Sequence, residues 1–435
     1  MPRVMPVYDE RFPYTTELQM PVIGLESEFK VFIDDEEVAP EEVWRTPAAF
    51  VDRPLLKRTN KSMQLPTGGA LYFDGGVLEV VTPVIEIAPQ CTARVVRSLW
   101  EQIGFVRDQL DAWEVRSGRR VRLQAFSCHI NISFELAREQ RGRDRTIQKL
   151  ALLLAYLLPA SLIVAGANRR STGIGVRPRR DRIEITTDFT ADPGLMSAVV
   201  ALLVGIVRDV ISWPSYRVDE LQRRGIPMLT GVDPGRHATR KGWLTRDFQF
   251  PRNPFRGDPN ARVWSTSIGR MSLREIAHAV AMRFRESIRA CSDPFSYRLL
   301  FSVLRGETPA LMDLPDRPAA YDDVGRTTRW GAVLPELQNF ASLMHDVSVD
   351  PGPRRRKSDL DDKLAPPWSG ARRLTRSSYE RVFLKLGSQR RLKLGNEILT
   401  PVKVKGWYHS IFRTPAGEER MLSIDQLLKY MGSWI

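Results

Sequence analysis

The sequence predicts an α+β protein, on three observations. Several segments alternate apolar and polar residues with the two-residue period of a half-buried strand. Between them run stretches whose apolar residues recur at helical spacing. Beyond residue 379 the chain reads as a small, mostly β module closed by a short helix, Ile424 to Tyr430.

The elements follow in order. Ile23, Leu25, Phe29, Val31 and Ile33 alternate with Gly24, Glu26, Glu28 and Lys30, which makes a first strand with one apolar face. A polar stretch runs to Gly68-Gly69. A second strand covers about Leu71 to Thr82, ended by Pro83. Ala93 to Trp113 reads as a helix through the stripe Val95, Val96, Leu99, Ile103, Val106 and Leu110. A third strand spans about Val121 to Phe134. The basic loop Arg138 to Arg145 then leads to an apolar helix, Leu150 to Ala167, which Pro159 interrupts. Val176 to Thr187 forms a fourth strand and Gly194 to Trp213 a further helix. From 217 to 270 the chain is rich in Arg, Pro, Gly and aromatics, as in a long irregular excursion. Met271 to Ala290 is a basic amphipathic helix. Residues 350–378, with Arg354-Arg355-Arg356-Lys357 and Pro366-Pro367, read as a linker between a large domain (1–349) and the module 379–435.

Composition bounds the function. The chain has 435 residues, 43% hydrophobic and 27% charged, so it can bury a large core and is not a disordered chain. A net charge of +14 favours anionic partners. Three scattered cysteines, Cys91, Cys128 and Cys291, argue against a disulfide scaffold or structural zinc and fit a reducing, cytoplasmic setting. Met1 to Tyr14 lacks the apolar core of an export signal, and Leu150 to Ala167 reads as a buried core helix, so no membrane partner is expected.

Four short segments carry the chemistry. Glu26 and Glu28 share strand parity, which projects two carboxylates roughly 7 Å apart on one face. They repel unless cations intervene, and a pair of Mg²⁺ or Mn²⁺ ions supplies hard partners for their oxygens. A solvated face partnered by Lys30 is the plain alternative. In Asp74-Gly75-Gly76-Val77-Leu78-Glu79 the two acids have opposite parity, so only a bulge at the glycines brings both to one site; Glu79 is favoured and Glu86 is a reserve. Ser127, His129, Asn131 and Ser133 share a polar face opposite Phe126, Ile130, Ile132 and Phe134. There His129 is a satisfied hydrogen-bonding group, a metal ligand or a phosphate contact. Arg180, Arg182, Glu184 and Thr186 share a face on the fourth strand, and six arginines fall between Arg169 and Arg182. Their planar forks suit phosphate or carboxylate, or else a nucleic-acid patch. Cys128 has the parity of the core.

The order of these motifs resembles the carboxylate–amine ligases related to glutamine synthetase and type 2 glutamate–cysteine ligase. Gly24-Leu25-Glu26-Ser27-Glu28 is similar to their GxExE opening strand, Leu78-Glu79-Val80-Val81-Thr82-Pro83 to their second carboxylate strand, Ser127 to Ser133 to their HxH or HxN strand, and Asn168 to Thr187 to their arginine-rich strand. The likeness covers about residues 20 to 210. It implies a glutamine-synthetase-like curved antiparallel sheet with packed helices. It implies ATP with Mg²⁺ (or Mn²⁺), and metal ligands Glu26, Glu28, Glu79, His129 and Glu184. Arg177 and Arg182 are implied as catalytic contacts to phosphate or carboxylate, and Asn131, Arg169, Arg170, Arg180 and Asp74 as substrate or nucleotide contacts. Asn131 stands where many relatives have a second histidine. The implied reaction joins a small-molecule or peptide carboxylate to an amine through an acyl phosphate. A homo-oligomer is left open, and nucleic acid is the disfavoured partner. The rival readings are a guanidino-kinase-like phosphotransferase and a basic nucleic-acid-binding protein using 217–270, where Trp243, Phe248, Phe250 and Phe255 interleave with arginines.

Overall fold

The alternation expected near the N-terminus is realised in β1 (Val22–Ile33), where Ile23, Leu25, Phe29, Val31 and Ile33 are all buried on one face. The computed structural model describes residues 18–59, 62–136, 142–237, 241–326 and 376–435. After β1 come β2 (Leu56–Thr59), β3 (Ser62–Gln64), β4 (Ala70–Asp74) and β5 (Val77–Val81). Helix α1 (Cys91–Ser117) and β6 (Val121–Ser133) follow, then α2 (Ile147–Leu157) and α3 (Pro159–Gly166). The chain continues through β7 (Gly173–Pro178), β8 (Arg182–Thr187), α4 (Pro193–Ile211) and β9 (Trp243–Arg246). It then forms α5 (Leu273–Arg283), α6 (Arg285–Cys291), α7 (Pro294–Arg305) and α8 (Ser378–Gly387). Last are β10 (Glu397–Lys405), β11 (His409–Arg413), β12 (Glu419–Ser423) and α9 (Ile424–Lys429).

Two compact units result. The first comprises the described chain up to Glu86, Ser98–Gln124 and Arg376–Ile435. Its strands lie in the order β1-β5-β4-β3-β2-β10-β11-β12, antiparallel except where β10 meets β2 at Lys403 and Lys57. Phe73 of β4 packs in an aromatic cluster with Trp44, Phe50 and Trp113 of α1, so the apolar face of this sheet is closed by rings. The C-terminal residues belong to this unit rather than standing apart. Tyr379, Phe383, Leu399 and Phe412 share one core with Val22, Leu56 and Val84. The Glu86 carboxylate accepts from the Tyr379 amide at 2.9 Å, and Arg376 reaches Glu101 on α1 at 2.9 Å. The linker reading over 350–378 falls mostly outside the described residues, as do Met1 to Tyr14 and part of the basic loop near 138.

The second unit holds Ile87–Arg97 and the described chain from Ala125 to Arg326. Its strand order is β9-β7-β8-β6, antiparallel throughout. Helix α2 packs on these strands, and α4, capped by Asp192, whose carboxylate accepts from the Gly194 amide at 2.7 Å, packs among the helices α3, α6 and α7. α4 is the one described helix long and apolar enough to cross a membrane, yet 89% of its apolar window is buried, as in a core helix. The α+β class therefore holds, with helices packed on antiparallel strands.

Several element boundaries depart from the sequence reading, each for a local reason. The second strand is a hairpin: Gly75 and Gly76 both take positive φ (61° and 88°), which makes a two-residue turn where a bulge was expected. The fourth strand is also a hairpin, turned by Arg179-Arg180-Asp181 after Pro178. Pro159 bends α2 against α3 by 60°. The helix expected over Met271 to Ala290 breaks at Phe284 into α5 and α6. The excursion 217–270 contains short strands, and β9 joins the sheet beside β7. Phe126 keeps the parity of Ile130 but lies 51% exposed, since that face of β6 is covered only from Cys128 onward.

α4 and α6 approach closely through Gly205: a Cβ there would sit 2.5 Å from the Cα of Ile288. Helix propensity favours alanine over glycine by about 1 kcal/mol. Even so, Gly205→Ala should destabilise the protein by about 1–3 kcal/mol through overpacking. Chemical denaturation of the two proteins checks the sign.

Candidate active site

The first unit assembles an acidic row by strand register. Glu28 of β1 faces Glu79 of β5, Glu79 faces Tyr72 of β4, and Tyr72 faces Ser62 of β3. Directly opposed residues on one face stand about 5 Å apart, so Glu28, Glu79 and Tyr72 are neighbours, and Glu26 projects from the same side of β1. Leu78, Val80, Leu71 and Leu25 fill the opposite face. Glu79 and Glu28 are buried and Glu26 is half-buried. Burial, then the charges of Glu26 and Glu28, push the Glu79 carboxyl up to about 9. The Tyr72 hydroxyl donates to Glu79 and partly offsets this. Its own acidity is suppressed, first by burial and then by Glu26.

Arg58 completes the group. Its Nη1 donates to Gln64 Oε1 at 2.7 Å and its Nη2 to the Gly406 carbonyl at 3.3 Å. Desolvation lowers its pKa, opposed by Tyr72 and Glu26. Crowded carboxylate oxygens around a buried acid form the donor set that Mg²⁺ or Mn²⁺ takes, so Glu26, Glu28 and Glu79 fit such an ion.

The second unit carries a different cluster. Glu184 of β8 faces Asn131 of β6 on one side and Arg177 of β7 on the other. Its carboxylate, 1% exposed, is paired with the Arg177 guanidinium and accepts a two-pronged grip from Arg179 at 2.7 and 3.0 Å. Arg177 Nη2 also lies 3.2 Å from His129 Nε2. Since arginine stays protonated, that nitrogen accepts, which puts the ring proton on Nδ1. Arg182 Nε donates to Asn131 Oδ1 at 2.8 Å, and Nη1 to Asp181 at 3.0 Å. The Asn131 Nδ2, also buried, has no acceptor.

Of the other expected contacts, Asp74 is exposed at the tip of the β4–β5 hairpin, where the two-residue turn leaves it on the same face as Tyr72 and Glu79, and its charge adds to those that raise Glu79. Arg180 is exposed in the β7–β8 turn and does not share the face of Arg182 and Glu184. Arg169 is spent on carbonyls, donating to Leu314 at 2.6 Å and Arg256 at 3.1 Å; Arg170 is exposed. Cys128 is buried in the core as its parity implied. Of the aromatics in 217–270, Trp243, Phe250 and Phe255 are buried and Arg236 stacks on Trp243, which leaves Phe248 alone of the four exposed. Sequence reading missed Tyr72, Arg58 and Arg179. Tyr72 was legible only as the cross-strand partner that the tight Gly75-Gly76 turn selects.

No family model matches the chain, and no curated protein matches it. Among solved structures, the complex between the prokaryotic ubiquitin-like protein Pup and its ligase PafA gives a TM-score of 0.44 at 13% identity, covering 95% of this chain and 92% of that one.

The acidic row makes a pH-dependent prediction. A carboxyl whose folded pKa is raised costs stability as pH climbs from its unfolded value, 4.5, toward about 9. In chelator-treated protein, Glu79→Gln should therefore stabilise the fold by more than about 1.4 kcal/mol at pH 8, one pKa unit's worth, and by far less near pH 5. Thermal melts across that range measure it.

Proposed function

We propose that this protein is an ATP- and Mg²⁺-dependent carboxylate–amine ligase. In this reading a substrate carboxylate takes the γ-phosphoryl group of ATP, and an amine then displaces phosphate from the acyl phosphate to leave an amide. The observation that carries the reading is the acidic row itself, Glu28 and Glu79 side by side with Glu26, held on an apolar sheet where the charges are relieved by protonation of Glu79 or by bound cations. Bound Mg²⁺ would supply electrostatic neutralisation of the phosphate oxygens.

The remaining roles belong to the chain. Glu26, Glu28 and Glu79 hold the metal. Arg177 and Arg182 are the catalytic contacts to phosphate or carboxylate, and Asn131 offers its unsatisfied Nδ2 to the same ligand. The family resemblance also assigns His129 and Glu184 to the metal. Glu184 is paired with Arg177 here, so we assign it to fixing that guanidinium, while His129 stays among the proposed metal ligands. Nothing in this arrangement needs a covalent nucleophile. The nucleic-acid reading loses support because most of its aromatics are core residues.

Mass spectrometry over a library of carboxylates and amines tests the proposal: phosphate and an amide should appear together, and only when an amine is present. A stable phosphorylated product without amide would favour the phosphotransferase instead. Glu26→Gln and Glu28→Gln should each abolish Mg²⁺-dependent ATP turnover, and full activity in both would refute the site. Arg182→Lys keeps the charge and loses the fork, so kcat should fall about tenfold with the KM for ATP changed less than about twofold. Steady-state kinetics with ATP varied reads both constants.

A further inference from the structure

The turn between β4 and β5 carries Asp74 at the edge of the acidic face, and a short piece of chain outside the sheet holds that turn. The helix Pro40–Trp44 is barely one turn long. Its Glu41 and Trp44 stand three residues apart, so both side chains leave the same face. Trp44 is buried, with its ring centroid 6.3 Å from that of Phe73 and 4.9 Å from that of Phe50. Glu41 Oε1 accepts from the Gly76 amide at 3.0 Å. One helical turn therefore grips the hairpin at residues 73 and 76 and brackets Asp74 between them. The φ values of Gly75 and Gly76, 61° and 88°, are those of a type I′ turn. The hydrogen bond of such a turn joins its first and fourth residues, which leaves the amide of the third, Gly76, for an outside acceptor. Space over both glycines is open, since a Cβ built on either would meet no atom within 4 Å. The second carboxylate oxygen, Oε2, is buried and accepts no hydrogen bond among the described residues, so Gly76 has the carboxylate to itself.

We propose that Glu41 is a positioning residue, which sets the hairpin tip so that the Asp74 carboxylate is held in place on the face of Tyr72 and Glu79. The assignment rests on the ligase reading above, with Asp74 as the contact that the family resemblance implies, and adds to it a residue outside the acidic row. Register settles the parity of Asp74, because it lies opposite Val77. It does not settle the height of the tip, where two glycines leave the backbone its widest freedom. The bond from Gly76 to Glu41 removes that freedom, and Trp44, packed against Phe50 and Trp113, ties the bond to the core. A carboxylate displaced by about an ångström loses its contact geometry while the sheet beneath it stays folded.

The test measures Mg²⁺-dependent ATP turnover and amide hydrogen exchange on the full chain in Glu41→Ala, Glu41→Gln, Asp74→Asn and the double variant Glu41→Ala with Asp74→Asn. Asp74→Asn should lower turnover at least about tenfold. Glu41→Ala should lower it about tenfold and speed exchange of the Gly76 amide about tenfold, with exchange along β1 unchanged. Glu41→Gln keeps a carbonyl acceptor for Gly76 and should stay within about threefold of the wild type in both measurements. In the double variant, Glu41→Ala should cost less than about twofold beyond Asp74→Asn, since a residue that acts through Asp74 has nothing left to position. Full turnover in Glu41→Ala would overturn the role, as would unchanged exchange at Gly76 in that variant. An equal loss from Glu41→Ala with and without the Asp74 carboxylate would also overturn it, by marking Glu41 as structural only. Wild-type protein without ATP turnover would overturn the ligase reading, and this role with it. Turnover that Asp74→Asn lowers and Glu41→Ala leaves intact overturns the role alone.

Discussion

Acidic groups crowded on one face, which must either hold a proton or find a cation, set the terms for the first unit. Glu28 and Glu79 oppose each other across β1 and β5, and Glu26 adds a third charge from the same side. The other face of the sheet is held by apolar packing, with Phe73 against Trp44, which in turn meets Phe50 and Trp113. Register is the sensitive variable. A slip of one residue in β5 would turn Glu79 into the core and bring Leu78 or Val80 onto the polar face. The tight Gly75-Gly76 turn forbids that slip, so two residues without side chains protect the chemistry of a third.

The second unit handles buried charge by pairing. Glu184 is clasped by Arg177 and Arg179, and His129 meets the same Nη2 of Arg177 that Glu184 holds. Such pairs return little net stability, since desolvation consumes most of the attraction, but removing one partner is costly because it strands the other. The gain is orientation. A guanidinium held by a carboxylate and an imidazole has its plane fixed before any ligand arrives. The two clusters thus differ in kind, one short of positive charge and the other saturated by it.

Much of this was readable in the chain, within limits that physical reasons explain. Alternation in Ile23 to Ile33 identified β1 and both its glutamates, because a two-residue period admits one assignment of faces. Glu79 was preferred over Asp74 on its apolar flanks, and it is the buried one of the two, while the feature that brings both to one face is a two-residue turn where a bulge was expected. Arg180 was misplaced for the same reason: parity counting assumes an unbroken strand, and Pro178 ends β7 before it. Arg58 was invisible, since the Gly406 carbonyl that helps to fix it lies over three hundred residues away in the chain. The burial of the aromatics between 217 and 270 was likewise a tertiary outcome, one that composition cannot register.

The first unit is assembled from three separated stretches of sequence, with the β10 strand docking on β2 and Tyr379 on Glu86. During synthesis, which runs from the N-terminus, the acidic strands emerge early and must wait for Arg376–Ile435 before their core closes. Until then β2 presents an unpaired edge and Val22, Leu56 and Val84 lie uncovered. Translation order therefore leaves a long interval in which that edge and those apolar residues are open to mispairing, and it ends only when Arg376–Ile435 are delivered.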